Sequence, residues 1–341
     1  MKLKTGKYLF LILIVALCFY NNGGVFGQNN QFTQYYLNPA TINPAFSGID
    51  PFFSTFIGYK QLWNGFDNGN DIFHASAFSS IGKTPPAAFK NNSLRVSDPK
   101  TFARLSNDKS IKRRHGIGGF IESSSIGPYQ STQFGVKYAY HIPVSNKLSI
   151  AFGTSVDMIQ DELDFSSYTV RDPQNDSFYQ QLVGSQGNQN SLKVDFGGVL
   201  YSNSWFLGIS SNSLVRELLS GDDFTEFVSL TSYDLLVGKQ FVMSPTINVF
   251  SSARVTQHDF YGFSWELTGR MRFRDVLSFG ASYYSEDRIS ALFGLTPKEG
   301  ISINYSYDYF VSDLNSFNSG NHEVVLGLAL FNRYSFPKRF W

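Results

Sequence analysis

The side chains able to do chemistry are few, and they lie far apart. The five histidines, His74, His115, His141, His258 and His322, follow no zinc-ligand spacing. They read as isolated hydrogen-bonding groups rather than metal ligands. The single cysteine, Cys18, falls inside an apolar leader. A mature chain without cysteine has no thiol nucleophile, no disulfide and no cysteine-ligated metal. There is no Gly-x-Ser-x-Gly elbow, His-Glu-x-x-His helix, Walker loop or complete Gly-x-Gly-x-x-Gly turn. The run Gly116-Ile117-Gly118-Gly119 is more simply a strand start where neighbouring backbones come close. No nucleophile–base pair is in view. The expectation is a protein that is not an enzyme, with no catalytic, cofactor or metal site.

The remaining reactive groups are charges, and the elements that position them alternate with period two. In 263–273, Phe263, Trp265, Leu267, Met271 and Phe273 oppose Ser264, Glu266, Thr268, Arg270 and Arg272. In 246–258, Ile247, Val249, Ala253 and Val255 oppose Asn248, Ser252, Arg254, Thr256 and His258. In 301–309, Ile301, Ile303 and three tyrosines oppose Ser302, Asn304, Ser306 and Asp308. Parity puts Lys137, Asp157, Lys193, Asp195, Arg254, Glu266, Arg270, Arg272 and Asp308 on the polar faces. Mixed signs there imply internal ion pairs and hydrogen bonds rather than the single-sign ring of an ion-selective pore.

The leader supplies the compartment. Lys2, Lys4 and Lys7 precede the apolar run 8–19, and Val25 and Gly27 offer a small-residue cleavage site before Gln28. Residues 1–27 are therefore read as a secretory signal peptide. Without its three lysines the chain has 25 basic residues against 27 acidic ones, no electrostatic basis for binding nucleic acid. Phe and Tyr number 34 and 19, charged residues make up only 16%, and no later segment is an apolar helical span. In lipid every backbone polar group must be paired, so a closed barrel is the remaining way across.

The expected fold class is thus all-β: a transmembrane antiparallel β-barrel of about 14 strands over 51–341. The strands fall near 52–63, 71–80, 115–124, 131–142, 147–158, 191–201, 204–212, 227–241, 246–258, 263–273, 276–286, 289–296, 301–312 and 322–332. An even count puts both termini in the periplasm, with short turns there and the long links 159–190, 213–226 and 313–321 outside. The connection 81–114 breaks this rule. It carries nine basic residues, ending in Lys112, Arg113 and Arg114, against Asp98 and Asp108. It is either a solvated loop or a docking patch for a periplasmic partner or anionic lipid heads. Residues 28–50 contain Pro39 and Pro44, which cannot continue a ladder. They form a periplasmic tail or a plug folded into the lumen.

Specific motifs then bear a resemblance. QYYLNPATINPAFSG, Gln34 to Gly48, and YKQLW, Tyr59 to Trp63, resemble the opening of the PorP/SprF family of type IX secretion-system membrane proteins. The match rests on Asn38, Pro39, Ile42, Asn43, Pro44, Ala45 and Gly48, then Tyr59, Gln61 and Trp63. Three later blocks resemble the family in the same order: Tyr138 to Gly153, Asp195 to Leu214, and GNHEVVLGL from Gly320 to Leu328. Lys60 stands where the family pattern has arginine, and 81–114 is longer than the usual turn.

The resemblance implies a multi-pass barrel of the cell outer membrane in Bacteroidetes-type bacteria, working with the type IX translocon. Its implied partners are the C-terminal signal domain of a secreted surface adhesin, periplasmic motor or peptidoglycan-binding proteins, and outer-membrane lipid. Gliding motility is the implied setting. Candidate partner-binding residues are Asn38, Pro39, Asn43, Pro44, Ala45, Gly48, Gln61, Trp63, Lys112, Arg113, Arg114, Gly320, His322 and Glu323. The two Asn-Pro pairs also admit a plain structural role as turns. The alternative function is a FadL-like outer-membrane channel for small or hydrophobic solutes.

Overall fold

A computed structural model of the chain describes residues 32–64, 70–81, 113–145, 148–164, 187–221, 231–259, 262–285, 288–311 and 319–331, with parts of 171–180. The leader 1–27 and most of the basic link, Lys112 included, lie outside the described residues. Fourteen strands close into one barrel. They are β1 (Phe53–Gln61), β2 (Asp71–Ile81), β3 (Arg114–Ile126), β4 (Tyr129–Pro143), β5 (Ser149–Leu163), β6 (Asn188–Tyr201) and β7 (Trp205–Gly221). They continue as β8 (Ser232–Ser244), β9 (Ile247–His258), β10 (Gly262–Phe273), β11 (Leu277–Tyr284), β12 (Arg288–Lys298), β13 (Ile301–Phe310) and β14 (Asn321–Leu330).

Each strand pairs antiparallel with its chain neighbours, and β1 closes on β14 from Phe53↔Leu330 to Gln61↔His322. Alternation decides which way each side chain points. The outward set is apolar and uncovered, with Ile57, Phe73, Phe134, Val136, Phe152, Ile209, Phe279 and Ile303 among it. That is the surface a barrel offers to lipid. The inward set is polar: Ser76, Asp157, Asp195, Thr256, Glu266, Asn304 and Ser306 are all buried. The alternating charges behave as parity requires, and Arg272 sits near the rim, paired with Asp275 at 3.0 Å.

The two ends differ. One end, the short-turn end, carries the start of β1, the end of β14 and the turns 144–148, 202–204, 245–246, 274–276 and 299–300. The link 82–113 joins this end too. The opposite loop end carries 62–70, 164–187, 222–231 and 311–320, among shorter connections.

β5, β6 and β7 run longer than their sequence pattern suggests. The β5–β6 ladder continues to Glu162↔Asn188, although Gln160, Glu162 and Asn190 leave no apolar face to read. Pairing goes on past the lipid, where alternation has no cause to persist. β7 continues to Gly221 through a bulge at Ser213, whose φ of +56° breaks the period of two. The Asp195 carboxylate holds that bulge by accepting from the Ser213 N–H at 2.7 Å.

Candidate functional site: a plugged lumen

The lumen is filled by the segment before β1. Residues 32–50 form three single 3-10 turns, Tyr35–Leu37, Pro39–Thr41 and Pro44–Phe46. Each proline opens its turn, where the missing N–H is not needed. Asn43 caps the last turn, its side chain accepting from the Ala45 N–H at 2.9 Å. Nearly every residue of the segment is buried.

The segment starts toward the loop end and runs down to the short-turn end, meeting a different wall chemistry at each level. At the top, Thr33 and Gln34 donate their backbone N–H groups to the two Glu323 oxygens at 2.7 and 3.0 Å. Lys60 reaches Asp308 at 3.0 Å, Glu323 at 3.6 Å and the Thr33 hydroxyl at 2.9 Å. Arg288 closes this cluster, 3.9 Å from both Asp308 and Glu266. Such a group is tolerable away from water because every charge has an opposite partner. It joins β1 and β14, the two strands of the closing seam, to β13, β12 and β10.

In the middle, Asn38 donates to Ser76 at 2.8 Å, and Lys137 donates to the carbonyls of Ala40 and Thr41 at 2.8 and 3.0 Å. Tyr36 packs on Phe250, with Arg270 over its ring at 5.6 Å. Lys193 bridges Asp157 and Asp195, 3.3 Å from each, beside this level.

At the bottom the contacts are close and, Arg114 apart, neutral. Asn43 donates to the carbonyls of Gly198 and Ile209 at 3.1 and 2.9 Å. Phe46 stands edge-on to Phe206 at 5.1 Å. The paired glycines Gly153 and Gly197 lie directly against Asn43, Pro44 and Ala45, and Gly116 against the Ser47 carbonyl. A Cβ on any of the three would collide with the plug. A short relay of hydrogen bonds ends the segment. Arg114 can only donate, to Ile49 O at 2.7 Å and the Tyr201 hydroxyl at 3.1 Å. The His141 Nε2–H donates to the Ser47 carbonyl at 2.8 Å, and in the neutral ring Nδ1 then accepts from Tyr201 at 2.9 Å.

The candidate residues named from sequence separate into groups. Asn38, Pro39, Asn43, Pro44, Ala45 and Gly48 all belong to the plug and face the wall. Glu323 faces the lumen and holds the plug. Gln61 pairs with His322 on the seam near the loop end. His322 points outward there, 2.8 Å from the Tyr305 hydroxyl. Trp63 and Gly320 follow at the same end, with the Trp63 N–H bound to Asn321 at 2.8 Å. Arg113 is exposed, whereas Arg114 opens β3 and anchors the plug.

Sequence reading missed the wall aromatics Tyr201, Phe206 and Phe250. Their signal is a large apolar residue at a polar-parity position, as with Phe250 between Asn248 and Ser252. Among the described residues no cluster of His, Cys, Asp and Glu could hold a metal ion.

A closed antiparallel barrel with an apolar exterior and a polar, plugged interior defines an outer-membrane β-barrel protein. The fold is that of the Ralstonia pickettii toluene transporter TbuX, at a TM-score of 0.52 and 11% identity, over 84% of this chain and 92% of that one. A Pseudomonas aeruginosa FadL homologue aligns with a TM-score of 0.46 at 10% identity, over 84% and 91%. Acinetobacter baumannii Omp33 aligns with a TM-score of 0.44 at 11% identity, over 83% and 99%. No curated protein matches the chain in sequence. The family pattern described as type IX secretion system membrane protein PorP/SprF matches residues 25–328. The chain belongs to that family.

Proposed function

We propose that this barrel recognises the C-terminal signal domain of a secreted surface adhesin and anchors or exports that adhesin at the cell surface. The observation that carries this reading is the plug. It is tied to strands on every side of the lumen and leaves the barrel a rigid platform rather than a wide solute path. The cargo would meet the loop end, where Gln61, Trp63, Gly320 and His322 gather on the β1–β14 seam. The short-turn end would face the periplasm, with the start of β1 and the end of β14. There Lys112 and Arg113, in the basic link, would contact motor or peptidoglycan-binding components, in a gliding apparatus. The buried Asn-Pro residues would act indirectly, by fixing the shape of the platform.

Deleting the gene should abolish surface display of one adhesin while outer-membrane integrity and the remaining surface proteome stay unchanged. An unchanged surface proteome with lost uptake of a small or hydrophobic solute would overturn this reading in favour of a channel.

A further inference from the structure

We propose that the lumen holds an anion site near its short-turn mouth, where Arg270 and Arg272 of β10 take the phosphate group of a small soluble molecule. Higher in the lumen the buried cations face carboxylates: Lys60, Lys193, Arg254 and Arg288 each have one no more than 3.9 Å away. Arg270 differs. Among the described residues its partners are all neutral. Nη2 donates to the Ser278 hydroxyl and, at 2.8 Å, to Asn304 Oδ1, and the guanidinium lies over the Tyr36 ring at 5.6 Å. Ser278 and Asn304 are themselves buried. A Cβ at Gly294 would stand 2.6 Å from Nη2, so that glycine clears the place of the guanidinium. One edge of Arg270 is thus fixed by β11, β12 and β13, and Nε and Nη1 keep no partner among the described residues.

Arg272 stands two residues nearer the mouth on the same face, its Cα about 7 Å from that of Arg270. Its acidic partner among the described residues is Asp275, 3.0 Å from Nε, in a turn and with its side chain 68% exposed. An ion pair that open to water is weak, and both Nη groups of Arg272 are left over. Asn248 and Ser278 flank Arg272 across the sheet and add neutral polar groups. Residues 270–276 and 292–304 carry Arg270, Arg272, Arg274 and Lys298 against Asp275 and Glu299, four positives minus two negatives, or +2.

The geometry selects the ligand. Two neighbouring guanidinium groups, each with N–H donors to spare, match an anion with more than two acceptor oxygens. A planar carboxylate fills one fork, whereas a tetrahedral phosphate bridges both. Tyr36 of the plug lies against the Arg270 side of the pair, and the strand wall separates both arginines from lipid. The phosphate therefore arrives from the aqueous short-turn side, free or on a small soluble ester. This inference does not depend on which cargo the barrel serves.

The test is calorimetric titration of the full mature protein in nanodiscs of neutral lipid at low salt. The probes are inorganic phosphate, glucose 6-phosphate, acetate and short-chain phosphatidic acid. Saturable binding of at least one of the first two is expected, with acetate at least tenfold weaker. Arg272→Gln should weaken that binding at least tenfold, and Arg272→Lys should recover only part, since it restores charge without the fork. Should Arg272→Gln fail to fold, Asn248→Asp sets a carboxylate beside Arg272 and should also cost at least tenfold. Arg274→Gln, at the exposed turn, should change binding less than twofold. Equal binding of phosphate and acetate, or undiminished binding by the folded variants, would overturn the proposal. So would an equal loss in Arg274→Gln, which would reduce the effect to general rim charge. Tenfold preference for the phosphatidic acid would move the site to bilayer headgroups and overturn the soluble ligand.

Discussion

The two ends of the plug are held by opposite means. At the top, Thr33 and Gln34 meet a cluster of buried charges, in which Lys60 is fully enclosed between Asp308 and Glu323. At the bottom, Asn43 to Gly48 meet glycines, aromatic rings and backbone carbonyls, with Arg114 the single charged hook. Charge tolerates some displacement but not the loss of a partner. Close packing tolerates neutral swaps but not added volume. The top therefore specifies that the seam strands and the plug come together, and the bottom specifies their shape.

Removing the central charge should have the largest effect. Lys60→Met leaves Asp308 with Arg288, 3.9 Å away, as its cationic partner beside the neutral donors Thr33 and Asn321, and Glu323 with the two plug N–H groups. An uncompensated buried carboxylate costs about 3–5 kcal/mol, which urea unfolding in lipid vesicles would read. Lys60→Arg should recover most of it. If Lys60→Met unfolds like the parent, the cluster is not what holds the top.

Added volume at the bottom comes next. Gly116→Ala drives a Cβ into the Ser47 carbonyl, a backbone group that can move only with the plug. Overpacking of this kind costs roughly 1–3 kcal/mol. A thiol placed at Thr41, which is partly covered, should label faster in the Gly116→Ala protein as the plug loosens. Unaltered labelling would mean that the wall yields instead, and the contrast between the two ends would weaken.

The barrel was legible because lipid on one side and a polar lumen on the other impose the same period-two rule on every strand. Where that rule lost its cause, the reading stopped early: β5 and β6 leave the membrane with polar residues on both faces, and Ser213 shifts the phase in β7. The plug was legible only as an alternative to a tail, since Pro39 and Pro44 say what the segment cannot be. Its seat depends on contacts across up to 290 positions, such as Thr33 to Glu323. No local pattern encodes those. The nearest local trace is a misfit: Phe250 and Phe206 face a polar lumen because the plug is there to cover them.

The smallest expected effect separates two adjacent arginines that look equivalent in sequence. Alternation points Arg114 into the lumen, where it donates to Ile49 and Tyr201, and leaves Arg113 exposed. Arg114→Met leaves a buried carbonyl and a hydroxyl without their donor, a loss of about 1–3 kcal/mol. Arg113→Met touches nothing buried and should change stability by less than about 0.5 kcal/mol. Association should follow the reverse order. An exposed charge attracts a partner only within about 8 Å at physiological salt, so any contribution of Arg113 to binding periplasmic components should fade as salt rises. The stability lost in Arg114→Met should respond less to salt, because its partners Ile49 and Tyr201 are buried. Measuring unfolding and association of both variants at low and high salt settles the assignment. Equal stability of the two proteins would remove Arg114 from the plug's anchors and return it to the basic link.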